Sequence, residues 1–73
     1  MSSLFKSELL AITALRAKFP NMGQRTLARR IVNREFTEEG DRTQAANVGV
    51  RSYASTYAAI RRIDAKQRVL AAA

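Results

Sequence analysis

The sequence predicts an all-α fold: one compact domain over residues 1–73, with three main helices and a short fourth. Two observations carry that prediction. Apolar residues recur at steps of three and four in three separate segments, the signature of one buried helix face. Between those segments lie Pro20-Asn21-Met22-Gly23 and the glycines Gly40 and Gly49, residues that turn or end helices. Nothing reads as a strand, and no internal repeat interrupts the pattern.

The first helix is expected over 4–18. Leu9, Ile12, Leu15 and Phe19 form its stripe, with Phe5 one turn earlier. Ser2 or Ser3 suits its N-cap, and Arg16 and Lys18 suit the negative end of its dipole. Pro20 stops it, because the residue before proline is driven out of helical geometry. The second helix is expected over 24–35, with Leu27, Ala28, Ile31 and Val32 facing inward and Phe36 closing the core just beyond. Thr37-Glu38-Glu39-Gly40-Asp41 reads as an acidic loop. Asp41 and Gln44 have the spacing of a capping box for a short helix over 42–47. Gly49 is placed to close that helix in the left-handed conformation. The last helix is expected over 52–70. Its stripe is Tyr53, Tyr57, Ile60 and Ile63 or Asp64, extended by Val69 or Leu70, and the tail over 71–73 should fray.

Charge narrows the function. The chain carries thirteen basic and six acidic residues, a net +7. Residues 1–34 hold seven of the cations and one acid. Residues 35–41 hold Glu35, Glu38, Glu39 and Asp41, and residues 42–73 hold six cations and one acid. Two basic segments therefore flank an acidic turn. Ten of the thirteen cations are arginine, the side chain best suited to bidentate contact with phosphate or carboxylate. An anionic partner is expected: nucleic acid or an acidic protein surface.

Catalysis is not expected. There is no histidine to serve as a base and no cysteine for a disulfide or a thiolate metal site. The acids of 35–41 lack the alternating pattern of a calcium loop. The three scattered glycines make no phosphate loop. No cofactor and no metal are anticipated. No apolar run approaches the roughly 20 residues of a membrane span, and the start lacks the pattern of a secretion signal. A cytoplasmic protein without a membrane partner is the expectation.

A helix-turn-helix is the one nucleic-acid motif within reach, a supporting helix packed across a second that reads the major groove. A wide frame pairs Gln24-Arg25-Thr26-Leu27-Ala28-Arg29-Arg30-Ile31 with the last helix, although the connection over 36–51 exceeds the usual short turn. A narrow frame places the turn at Ala45-Ala46-Asn47-Val48-Gly49-Val50, with a very short first helix and Ser55 at a position usually aliphatic. The candidate partner-binding residues are Arg25, Arg29 and Arg30 on the second helix with Arg51, Arg61 and Arg62 around the last. The same arginines could instead pair with Glu35, Glu38 and Glu39 or remain solvated. Tyr53 and Tyr57, four apart, suit a core better than a base-stacking platform.

The 73-residue length, the basic helical composition and the opening Met1-Ser2-Ser3-Leu4-Phe5 together resemble the small RNA-polymerase-binding transcription regulators of lytic Xanthomonas phages. That resemblance implies a partner in bacterial RNA polymerase, inhibition of sigma-dependent initiation, and antitermination at intrinsic terminators. It places the protein in the host bacterial cytoplasm, with nascent RNA or DNA phosphates as further contacts. It provides no motif from which contact residues transfer. A monomer is expected, since no heptad seam is evident. The alternative functions are a sequence-specific helix-turn-helix DNA-binding repressor, a recombination accessory protein, and a basic assembly protein.

Overall fold

A computed structural model describes residues 6–72. Four helices follow one another: α1 Lys6–Lys18, α2 Gln24–Asn33, α3 Glu39–Asn47 and α4 Tyr53–Ala72, with no strand among the described residues.

α1 ends as the sequence requires, with Pro20 just beyond it and the Met22 N–H bonded to the Phe19 carbonyl at 3.2 Å. Its expected beginning, with Leu4, Phe5 and a cap from Ser2 or Ser3, lies outside the described residues. The inward face differs from the expected stripe. Glu8, Ala11, Ile12 and Leu15 are buried, while Leu9 is 42% exposed. In the first turn Glu8 turns inward to meet Arg51, while Ile12 and Leu15 keep their places in the expected stripe.

α2 stops two residues before the expected end. Arg34 takes a left-handed φ of 57°, its N–H reaches the Ile31 carbonyl, and the Glu35 N–H reaches the Arg30 carbonyl at 2.9 Å. This is a Schellman closure with an arginine where glycine is usual. Leu27, Ala28 and Ile31 are buried, and Val32 is half-buried. Phe36 is buried beyond the helix, its ring tilted against Phe19 at 5.9 Å between centroids.

α3 begins three residues before the expected start. Glu39-Gly40-Asp41 forms its first turn, so Asp41 is not an N-cap but a buried helical residue. Acids in a first turn favour the positive end of the dipole, which is why this segment is helix and not loop. Gly49 follows in the left-handed region at φ 78°.

Ser52 caps α4, its Oγ accepting the Ser55 N–H at 3.1 Å. The buried face is Thr56, Ala59, Ile60 and Ile63. Thr56 can sit inside because its hydroxyl donates to the Ser52 carbonyl at 3.1 Å. One tyrosine departs from the expected stripe. Tyr57 packs half-buried against the core, whereas Tyr53 is exposed and stacks on it at 5.9 Å. Val69 and Leu70 do not extend the stripe, being 70% and 61% exposed. The helix continues to Ala72.

α2 packs chiefly on α4, and α1 packs on α3 and less extensively on α4. α1 and α3 run antiparallel: Lys18 binds Asp41 in the first turn of α3, and Glu8 lies against Gly49 just past its end. Ile12, Leu15, Leu27, Ile31, Val48 and Ile60 fill the shared core.

Candidate functional site

The site is defined by which charges the fold consumes and which it leaves. Among the described residues four ion pairs tie the fold together, and each has one partner on α1. Arg16 grips Asp64 of α4 with two parallel bonds, Nε to Oδ1 and Nη2 to Oδ2, both 2.8 Å. Its Nη1 also donates to the Phe19 carbonyl at 3.2 Å and to the Met22 carbonyl. Gln24 adds a bond to Asp64 Oδ2 at 2.9 Å. The Arg16 guanidinium holds the Asp64 carboxyl below the usual range. Partial burial opposes this, while Gln24 and the nearby Arg68 charge reinforce it. Lys18 donates to Asp41 at 2.7 Å and to Glu38 at 2.6 Å, and these bonds raise its pKa.

Two arginines outside α1 also serve the scaffold. Arg51 binds Glu8 through Nε to Oε2 at 3.0 Å and through Nη2 to Oε1, and this carboxylate raises its pKa. Of the six candidates from the sequence, Arg51 is thus the one tied down inside the protein. Its partner lies 43 positions away, beyond the reach of any spacing argument. Arg34 donates to the Ala45 carbonyl and, at 3.0 Å, to the Gly49 carbonyl, closing the negative end of α3.

The other five candidates face solvent. Arg25, Arg29, Arg30, Arg61 and Arg62 are exposed and form no ion pair among the described residues. The alternative of ion pairs with Glu35, Glu38 and Glu39 is not taken by these five among the described residues. Glu38 takes Lys18, and Glu35 accepts from the Asn33 side chain at 3.0 Å. Arg61 and Arg62 line an open groove of about 790 Å³ with Arg68 and Gln24, where the start of α2 meets α4. The one acid in that lining is Asp64, already held by Arg16. Arg61 lies over the Tyr57 ring at 5.8 Å, a contact that fixes its base on the helix. Arg25 follows Gln24 in the first turn of α2, while Arg29 and Arg30 lie outside the groove lining. Gln24 and Arg68 join the groove without being among the six candidates, although Arg68 continues the helical run from Arg61 and Arg62.

Of the two helix-turn-helix frames, the narrow one joins α3 to α4, yet α3 packs on α1 and is not among the helices packed chiefly on α4. Around that turn Ala45 and Val48 are buried, Gly49 is left-handed and Ser55 is half-buried. In the wide frame α4 packs on α2, but the connection holds the whole of α3 and is not a short turn. Among the described residues no cluster of acids is placed to hold a metal, and no helix is long and apolar enough to cross a membrane. No family model, curated protein or solved structure matches this chain.

Proposed function

We propose that the protein is a non-catalytic module that regulates transcription by binding nucleic acid, with duplex phosphates docked on α4 and the groove it shares with α2. One observation carries this reading: Arg61, Arg62 and Arg68 line a single groove with no free carboxylate, while Asp64 is consumed by the scaffold. Arginines so placed displace counterions from a phosphate chain and bind it bidentately. Ala54, Ala58 and Ala65 are also exposed on α4 and add no bulk to its solvent side. At 1.5 Å per residue the helix is about 30 Å long, and a B-DNA major groove about 12 Å wide admits a helix. A repressor or a recombination accessory factor would use such a surface.

A second reading takes bacterial RNA polymerase as the partner, with inhibition of sigma-dependent initiation and antitermination as the outcome. It is favoured by Leu10, Val69 and Leu70, large apolar side chains left exposed. A protein surface would cover these, whereas a phosphate chain would not.

The two readings separate in one paired experiment. A mobility shift on duplex DNA at about 0.15 M salt, where weak charge contacts are screened, is run beside a pull-down from bacterial lysate. Retained DNA binding without polymerase supports the first reading. Stoichiometric polymerase with only weak DNA binding supports the second and overturns the first.

A further inference from the structure

Beside the first groove, and sharing Ala58, Arg62 and Gln67 with it, lies a second of about 640 Å³ between α4 and α1. Leu9 and Thr13 form one wall, and Ser55, Ala59, Ile63 and Leu70 form the other. Its hydroxyls are already engaged. Thr13 Oγ1 donates to the Leu9 carbonyl at 2.7 Å, and Ser55 Oγ accepts from the Ser52 hydroxyl at 3.1 Å. Leu9, Ala59, Ile63 and Leu70 give the groove an apolar floor, with the polar ends of Arg51 and Gln67 also in its lining. Leu9 and Leu70, at 42% and 61% exposure, leave the groove open to water. Its margin is cationic. Arg62 and Lys66 line it from α4. Lys6 is exposed one turn before Leu9, at the spacing that puts both on one side of α1. The one carboxylate near its end, Glu8, is held by Arg51.

We propose that this groove is a docking site for an acidic amphipathic helix of a partner protein. An apolar trough with cationic margins is the complement of a helix with leucine-like anchors on one face and glutamates beside them. From Ser55 to Leu70 the α4 wall runs about 22 Å at helical rise, enough for a partner helix of about fifteen residues. A second copy of this chain is disfavoured, because it would bring cations against Arg62 and Lys66. The inference shares Arg62 with the nucleic-acid reading, so its test is placed at Leu9 and Leu70, which lie outside the α2–α4 groove.

The test uses the whole chain and three labelled synthetic peptides of sixteen residues, followed by fluorescence anisotropy. One is an amphipathic helix with leucines at positions i, i+3, i+4 and i+7 flanked by glutamates. The second has the same residues scrambled, and the third replaces the glutamates with lysines. The expected result is at least tenfold tighter binding of the first peptide. Leu9→Glu with Leu70→Glu, and Leu70→Glu alone, should remove that preference while circular dichroism and the DNA mobility shift stay unchanged. If the nucleic-acid reading fails, the DNA shift is absent in the unmodified protein and the peptide preference persists. Four results overturn the proposal. They are equal binding of the scrambled peptide, no binding of any peptide, affinity indifferent to both variants, and sedimentation as a dimer that the double variant dissociates. Binding to phosphatidylserine vesicles that the double variant abolishes, without peptide preference, would instead assign the groove to a lipid surface.

Discussion

Gly49 and Asp64 are the residues where a single atom decides most. A Cβ built on Gly49 would stand 3.0 Å from Glu8 Oε2, in a backbone conformation that side chains rarely adopt. The added methyl would press on the carboxylate that holds Arg51. Gly49→Ala should therefore destabilise the fold by about 1–2 kcal/mol, the sum of the left-handed penalty and a disturbed ion pair. Urea unfolding measures this, and a change within error would mean that Glu8 can move aside without cost. Asp64 gives a pH signature. Its carboxyl is held below the ordinary 3.8 by Arg16, so its stabilisation is full above that ordinary value. It is lost as pH falls through the lower folded-state pKa. Asp64→Asn should cost about 1–3 kcal/mol at neutral pH, since Arg16 and Gln24 lose a charged acceptor. Melting curves should show the variant losing less stability than the parent between neutral pH and about pH 2, a span that brackets the ordinary carboxylate range. Parallel curves would remove Asp64 from the acid response.

At the scale of elements, α4 is expected to dominate partner binding and α2 to assist. Reversing Arg61, Arg62 and Arg68 to glutamate should weaken duplex binding by more than about tenfold and flatten its salt dependence, by about one unit of slope for each phosphate no longer neutralised. Reversing Arg25, Arg29 and Arg30 should have a smaller effect, because Arg29 and Arg30 lie outside the groove lining. Both sets are exposed, so helicity should persist. Equal effects of the two triples would show that the groove is not the centre of the interface. The elements also show how far local pattern reaches. Helical spacing, Pro20 and Gly49 locate the helices and the turns between them, because local geometry controls these. The burial of Glu8 is not legible in the sequence, since it depends on Arg51, 43 positions away. The beginning of α3 is hidden too. Glu39-Gly40-Asp41 has a loop's composition, yet its acids suit a first turn and Asp41 is neutralised by Lys18 of α1. The exposed arginines of the site are legible as a class, but Arg34 and Arg51 look identical to them until long-range partners are known.

The whole molecule has little stability to spare. At roughly 0.05–0.15 kcal/mol per residue, a chain of this length holds about 4–11 kcal/mol. Leu27 is fully buried, and its truncation to alanine should cost about 2–5 kcal/mol. The urea midpoint of Leu27→Ala should fall steeply, and a shift equivalent to less than about 1 kcal/mol would mean the core refills the space. Against that narrow margin, the separation of charges has a further consequence. Among the described residues each ion pair involves α1, whereas Arg25, Arg29, Arg30 and Arg62, exposed on the outward surface, enter none of these pairs. Mutations on that outward surface are therefore nearly neutral for folding. A lineage carrying this domain can rewrite its arginines one at a time, drifting from one anionic target to another, without passing through unfolded intermediates.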